Sequence, residues 1–493
     1  MRKIAFILIF VGIFTLTRLP RLHNDTINPD GVNWHVRSEQ FIVALKAHNW
    51  LSTYQHYHPG VTLMWIMGVP VEFFKQIDQT PSVYNQYTFQ TFDFIAKLSL
   101  VFTQLLLSIL AVYLLEKALK GKTRSLYIAL ASVALLSLEP FFVGNSRLLH
   151  MDALFTLLLF NGLLLSYLNF ENPKWRLAAL AGVFLGLAFL TKSIGIMALL
   201  FVAGIYLVRK RSFVNLLVVV SAFTLTVFAL FPALWVQPIQ TLENIFSEGF
   251  RVGVKNGHGQ IILDEYTTNA GFNYYAMITF MKVSLFTLIG VAFAIVGWSK
   301  HKKLSLTVVS YLGLFATLYF ISMSIPSKKI DRYMLPIYPF LSLLSVYGYS
   351  LIKNKIIILV LFVGFIISPL LSFFPYYFTY TSPLYGSIQN ANYFVAQKTF
   401  GVGMYDLKKL ILNRYGDKVR MGFIDTKPMK AIYANSKVFD IRVYGPGSYD
   451  IVVLGINENF SGEIADAKSV LWKKDASMYI NGLEFWKVYV KED

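Results

Sequence analysis

The feature that most constrains this chain is a succession of apolar runs, each about 18 or more residues long. Roughly 20 apolar residues in a helix cross the hydrocarbon of a bilayer. A helix also satisfies its own backbone hydrogen bonds, which lipid cannot do. Eleven such runs stand at 4–20, 94–116, 125–144, 150–169, 175–191, 193–208, 213–233, 277–298, 304–325, 333–352 and 355–375. The fold class expected is therefore mainly α, a polytopic membrane protein of about eleven transmembrane helices. The range is ten to thirteen, because the fifth and sixth runs are short and nearly continuous. The first run follows Met1, Arg2 and Lys3, as a signal peptide would. Thr17, Arg18, Leu19 and Pro20 give no small-residue cleavage site, so an uncleaved anchor is expected. Only 15% of residues are charged, against about 25% in soluble domains, which argues against a water-soluble fold and against disorder. With no cysteine, disulfides, thiolate zinc sites and cysteine nucleophiles are excluded.

A formal charge of +18 would suggest a nucleic-acid partner on a soluble protein. Its placement points elsewhere. Short cytoplasmic loops collect Lys and Arg. With the N-terminus inside, the inner segments hold Arg2 and Lys3; Lys117, Lys120, Lys122 and Arg124; Lys174 and Arg176; Arg209, Lys210 and Arg211; Lys300, Lys302 and Lys303; Lys353 and Lys355. Much of the charge is thus an orientation signal, and no nucleic acid is expected. The reading is a multi-pass protein of the plasma (cytoplasmic) membrane, with a cytoplasmic N-terminus and an extracytoplasmic C-terminal domain.

Residues 1–380 form the expected membrane domain, with outer loops at 21–93 and 234–276. The first loop is amphipathic. It has a helix-like piece with Trp34, Phe41 and Leu45 on one side, and an apolar piece from Val61 to Phe74 that is too short to span and suits the interface. From 381 to 493 the composition changes to 15 Lys and Arg against 12 Asp and Glu. Strand-like runs at 449–455 and 484–490 and a helical run near 405–415 read as a small extracytoplasmic α/β domain.

Several charges break the orientation rule. Arg147, Lys192, Lys282 and the cluster Lys328, Lys329 and Arg332 stand at outer ends of helices. Ionisable groups at membrane depth are costly and mark substrate paths or paired sites; snorkelling to headgroups is the plain alternative for any one of them. Their recurrence in one leaflet favours an anionic site, and a lipid-linked phosphate fits. Tyr333 adds a hydroxyl, and Pro336 and Pro339 would kink their helix. On the same side stand Asp30, in Asn28-Pro29-Asp30-Gly31, and Asp152, at the start of the fourth run. Either could cap a helix; together they suggest a base for an acceptor hydroxyl or amine. His150 and Asp152 could touch one metal, although two ligands are weak support. His56, His58 and His258 are further outer histidines. Glu139, before Pro140 in the third run, would be expensive unpaired and is expected to meet a cation.

The order of these segments resembles the C-superfamily (GT-C) integral-membrane glycosyltransferases: a helix, a long loop with an early Asp, Arg147 to Asp152 opening a helix, Leu190-Thr191-Lys192-Ser193, then Lys329-x-x-Arg332-Tyr333-x-Leu335-Pro336-x-Tyr338-Pro339. The similar branch holds dolichyl-phosphate-mannose protein mannosyltransferases and bacterial lipid A aminoarabinose transferases. The resemblance covers about 1–375 and is strongest over 324–340. It implies transfer of a sugar from a polyprenyl-phosphate donor, with inversion, to a protein, lipid or glycan at the extracytoplasmic face. By the same resemblance Asp30 is the acceptor base, Asp152 the second acidic position, and Lys192, Lys328, Lys329, Arg332 and Tyr333 donor-phosphate ligands; from its placement Lys282 is read as a further phosphate ligand, and Arg147, His58 and His258 as supporting residues. Many members have a second acid after the first; Gly31 stands there instead, which favours a metal-independent site. No cofactor is required on this reading, and a divalent metal at His150 and Asp152 is possible. Alternatives from the residues are a polysaccharide polymerase or ligase on the same donors, and a lipid flippase or secondary transporter. Against the transporter, the sequence shows no two related halves.

Overall fold

A computed structural model describes residues 2–79, 86–119, 125–209, 212–255, 257–298, 307–460 and 471–492. Lys120, Lys122, Arg124, Lys210, Arg211, Lys300, Lys302 and Lys303, assigned above to inner segments, lie outside the described residues.

The helices run α1 (Arg2–Arg18), α2 (Pro29–Lys46), α3 (Val61–Asp78), α4 (Phe89–Ala118), α5 (Ser125–Leu138), α6 (Pro140–Arg147), α7 (Asp152–Glu171), α8 (Trp175–Thr191), α9 (Ile196–Val208), α10 (Phe213–Leu230), α11 (Ala233–Val236), α12 (Pro238–Phe250), α13 (Tyr274–Lys282), α14 (Leu285–Trp298), α15 (Val308–Ser324), α16 (Tyr338–Ser350), α17 (Lys355–Phe362) and α18 (Ser368–Ser372). Each of the eleven apolar runs is a helix or a helix pair, and the chain is a multi-pass membrane protein. α4, α7, α10 and the continuous Lys355–Ser372 helix are each long and apolar enough to cross a bilayer.

Two runs expected to be straight are broken. α5 and α6 meet at 67°, and α13 and α14 at 112°. The first break follows from Pro140, which lacks an N–H and forces Glu139 out of helical geometry (ψ 117°). The expected kink at Pro336 and Pro339 is instead a 3-10 turn, Asp331–Ile337, with α16 starting afresh at Tyr338.

Burial sorts the helices. The apolar window of α7 is 94% buried, whereas that of Lys355–Ser372 is 17% buried. α7 is the central post, apolar all round because protein surrounds it; the other faces lipid. α14 and α16 approach closely enough that a Cβ on Gly348 would lie 1.9 Å from the Gly290 carbonyl oxygen. In the long loop after α1, α2 buries Trp34 and Phe41, as its pattern predicts. Gly60 opens α3 at φ +60°, and a Cβ there would meet the Trp34 ring at 2.2 Å, so glycine is required.

Beyond the membrane helices come α19 (Ile388–Phe394), α20 (Met404–Tyr415) and α21 (Lys427–Ile432), after a small hairpin, β1 (Gln260–Ile262) and β2 (Glu265–Thr267). The strands β3 (Met421–Phe423), β4 (Val438–Asp440), β5 (Ile451–Gly455), β6 (Trp472–Ile480) and β7 (Leu483–Lys491) form one sheet in the order β4-β3-β5-β7-β6. β3 pairs in parallel with β4 and β5, while β7 is antiparallel to β5 and β6. This tail folds back onto the segment between α1 and α4. Arg21 reaches both oxygens of Asp406 at 2.9 Å, Thr26 bridges Val402, and the Trp486 indole donates to the Val402 carbonyl (2.9 Å).

Candidate active site

Segments far apart in the chain converge on a cavity of about 520 Å³, within the rough 300–1,000 Å³ range of small-molecule sites. The first turn of α2 supplies Asp30. Asn28 is extended and Pro29 opens the helix, so the Asp30 carboxylate sits where free N–H groups and the helix dipole favour an anion. Asp152 is the first residue of α7, after Met151 in helical geometry. Lys192 ends α8 in extended geometry, Lys282 ends α13, and Arg332 lies in the 3-10 turn before α16.

Arg332 links the two acids. Its Nη2 donates to Asp30 Oδ2 at 2.8 Å, and its Nε lies 3.0 Å from Asp152 Oδ2. Asp152 also accepts from Lys192 Nζ at 2.6 Å and has His150 Nδ1 at 2.8 Å. The other imidazole nitrogen of His150 is 3.4 Å from Asp30 Oδ2. The contacts of Asp152 Oδ2 with His150 and Arg332 are close but not aligned as hydrogen bonds. The two acids differ in access: the Asp152 side chain is 3% exposed and Asp30 41%. Asp30 is the carboxylate that meets the cavity, and Asp152 is a buried anchor for cations.

The cations are also held by rings. Lys192 Nζ lies 3.7 Å from the Tyr333 ring centroid, and the Arg332 guanidinium 4.7 Å from that of Phe400. Lys282 Nζ donates to the Tyr380 carbonyl at 2.9 Å, and Lys328 Nζ lies 3.4 Å from the Tyr57 hydroxyl. His58 and His258 line the same cavity, as do Asp331, Lys398 and Asp425.

Burial by itself would raise the Asp30 carboxyl. The His150 hydrogen bond and the Arg332 charge outweigh it and hold Asp30 below the usual carboxylate range. Burial and the Arg37 charge lower His56 to about 4. Burial and Lys192 push His58 well down. Both imidazoles are therefore neutral near pH 7 and act as hydrogen-bonding groups. Burial lowers Lys398 to about 8.

Three of the expected residues do not line the cavity: Asp152, buried behind Lys192 and Arg332, and Lys329 and Arg147. Lys329 turns back to cap α15: its Nζ donates to the carbonyls of Ser324 and Pro326. Arg147 is sealed at the exit of α1. Its Nε donates to Asp25 Oδ2 (2.9 Å), and its Nη atoms to the carbonyls of Arg18 (2.9 Å) and Pro20 (2.8 Å).

The dolichyl-phosphate-mannose-protein mannosyltransferase family matches residues 62–244. In structure the chain is similar to ArnT from Cupriavidus metallidurans bound to undecaprenyl phosphate, at TM-score 0.54 and 12% identity, covering 99% of this chain and 97% of that one. ArnT from the same organism in the apo state gives TM-score 0.53 at 13% identity, again over 99% and 97% of the two chains. The chain shares the fold of these structures. No curated protein matches it in sequence.

A metal shared by His150 and Asp152 would meet occupied ligands. One Asp152 oxygen carries Lys192, and the other faces His150 and Arg332. Among the described residues no group of three or more His, Asp or Glu is arranged to hold a metal ion. Sequence reasoning missed Arg37, Tyr57, Asp331, Lys398, Phe400 and Asp425 in the cavity wall. Tyr57 stands beside His58-Pro59-Gly60, so the segment was visible although the residue was not. Lys398, Phe400 and Asp425 gave no signal, because only the folding-back of the tail brings them here.

Proposed function

We propose that this chain moves a sugar from a polyprenyl-phosphate-linked donor to an acceptor hydroxyl or amine at the extracytoplasmic face, with inversion. One observation carries the reading: Arg332 spans a partly exposed carboxylate, Asp30, and a buried one, Asp152, in a cavity walled by further cations. Lys192, Lys282, Lys328 and Arg332 are the donor-phosphate ligands, with Tyr333 holding Lys192 by its ring. Residues 1–380 act as the transferase domain, and 381–493 as an extracytoplasmic module that closes the cavity with Lys398, Phe400 and Asp425. Protein, lipid and glycan acceptors all supply the required nucleophile.

In the proposed reaction the bond between the anomeric carbon and the phosphate oxygen breaks, and the phosphate keeps the electron pair. Fixed Lys and Arg groups at low dielectric stabilise that charge. The acceptor oxygen or nitrogen bonds the anomeric carbon from the opposite face, and its proton passes to Asp30. A carboxylate held by Arg332 is ionised but a weak base. A phosphate that draws Arg332 toward itself restores basicity to Asp30, so the base becomes effective when the donor is in place. Asp152 stays buried and keeps Lys192 and Arg332 aimed at the cavity.

The purified protein, incubated with a panel of radiolabelled polyprenyl-phosphate sugars and membrane extract, is expected to consume at least one donor. Polyprenyl phosphate should appear in equal amount to labelled product. Turnover of nucleotide sugars with no use of any lipid-linked donor contradicts the reading. Sidedness is tested separately: a Ser327→Cys variant is expected to react with an impermeant thiol reagent from outside.

A further inference from the structure

Glu139, expected from its sequence to meet a cation, meets hydroxyls and a backbone amide instead. Its side chain is fully buried at the α5–α6 break, and its partners are all on the α13–α14 corner. Oε2 accepts from the Ser284 backbone N–H at 2.9 Å. Oε1 accepts from the Ser284 hydroxyl at 2.6 Å and from the Thr287 hydroxyl. A buried carboxylate without donors would be strongly unfavourable; three donors, one of them at the start of α14, account for this one. One side chain thus fastens two broken membrane helices to each other.

The corner it holds leads directly to the cavity. Lys282 ends α13 two residues before Ser284, with Val283 extended between them. The Lys282 ammonium lies 5.0 Å from the ring centroid of Phe141, which stands on α6 two residues after Glu139. It also donates to the Tyr380 carbonyl, and the neighbouring Met281 carbonyl accepts from the Ser382 N–H at 2.7 Å. The ring that Lys282 faces and the backbone that carries it are therefore set by the two sides of the Glu139 brace.

We propose that Glu139 is a positioning residue that fixes Lys282 in the cavity by bracing the α5–α6 and α13–α14 corners. Its bearing on transfer rests on the donor-phosphate role given to Lys282 above; its bearing on geometry does not. Glutamine preserves the brace. Its carbonyl takes the Ser284 N–H, and the two hydroxyls rotate to accept from its amide. Alanine removes all three bonds.

The chain has no cysteine, so Lys282→Cys places a single reporter in the cavity. The labelling rate with a small soluble thiol reagent is measured alone, with Glu139→Gln and with Glu139→Ala, on protein matched by thermal melting. A rate within twofold of the parent for the glutamine pair, and changed at least fivefold for the alanine pair, is expected. Equal rates in all three overturn the brace, whether or not any donor has been found. With a working donor, Glu139→Ala should raise the donor KM about tenfold and leave the acceptor KM unchanged. In a Lys282→Met background the same substitution should add nothing. Additive effects of the two substitutions would show that Glu139 does not act through Lys282.

Discussion

Two charged clusters lie near one another in this molecule and are built from the same residue types. In one, Asp30, His150, Lys192 and Arg332 border the cavity and Asp152 is buried behind them. In the other, Asp93 pairs with His35 (3.1 Å) and Lys97 (2.8 Å), and Asp25 with Lys97 (3.4 Å) and Arg147 (2.8 Å). Every side chain of the second cluster is at most 4% exposed. It also consumes backbone carbonyls: Lys97 donates to Thr26 and Arg147 to Arg18 and Pro20. The sealed cluster locks the loop that leads into α2, and so sets where Asp30 stands. The open cluster differs in one respect, the 41% exposure of Asp30. A charge at membrane depth therefore identifies a buried pairing requirement; access to a cavity is what separates chemistry from scaffold.

The contrast can be broken by removing one acid from each cluster. Asp30→Asn is expected to lower transfer at least about 1,000-fold, within the span given to a general base, with melting temperature and expression close to the parent. Asp25→Asn should do the reverse. It leaves Arg147 buried without its carboxylate, a change that costs about 3–5 kcal/mol in stability when one partner of a buried pair is lost. The melting temperature and yield should fall, while the surviving protein keeps its donor KM. Equal loss of activity per folded molecule in both variants would erase the distinction.

What was legible in the sequence follows the same division. All eleven apolar runs were readable because a stretch that long and that apolar has few places to go except a bilayer. The break at Val283 was not, because both halves of that bent helix remain apolar, and the break at Glu139 was marked only by Pro140. Asp30, Lys192 and Arg332 were singled out from position and resemblance, and they meet in space. Arg147 looked the same as Lys192, since each is a cation at the end of a helix. Only packing shows that one faces Asp25 and the other the cavity. Lys398 and Asp425 come from the tail, more than 60 residues in sequence beyond Arg332, and no local pattern marks a residue for so distant a wall.

A smaller effect sharpens the electrostatics of the open cluster. Burial lowers Lys398 to about 8. It is protonated below that pH and loses its charge as pH rises through it. The affinity for polyprenyl phosphate should therefore decline by a few fold between pH 7 and pH 9. Lys398→Arg, whose guanidinium stays charged, should flatten that decline. An unchanged slope in the arginine variant would assign the titration to another group.

The shared guanidinium is most directly tested by direct binding of undecaprenyl phosphate to the parent, Asp30→Asn and Arg332→Ala proteins at fixed pH and salt. If the lipid phosphate competes with Asp30 for Arg332, loss of the carboxylate charge tightens binding and loss of the guanidinium weakens it at least tenfold. Weaker binding to Asp30→Asn, or parent-like binding to Arg332→Ala, would contradict the account.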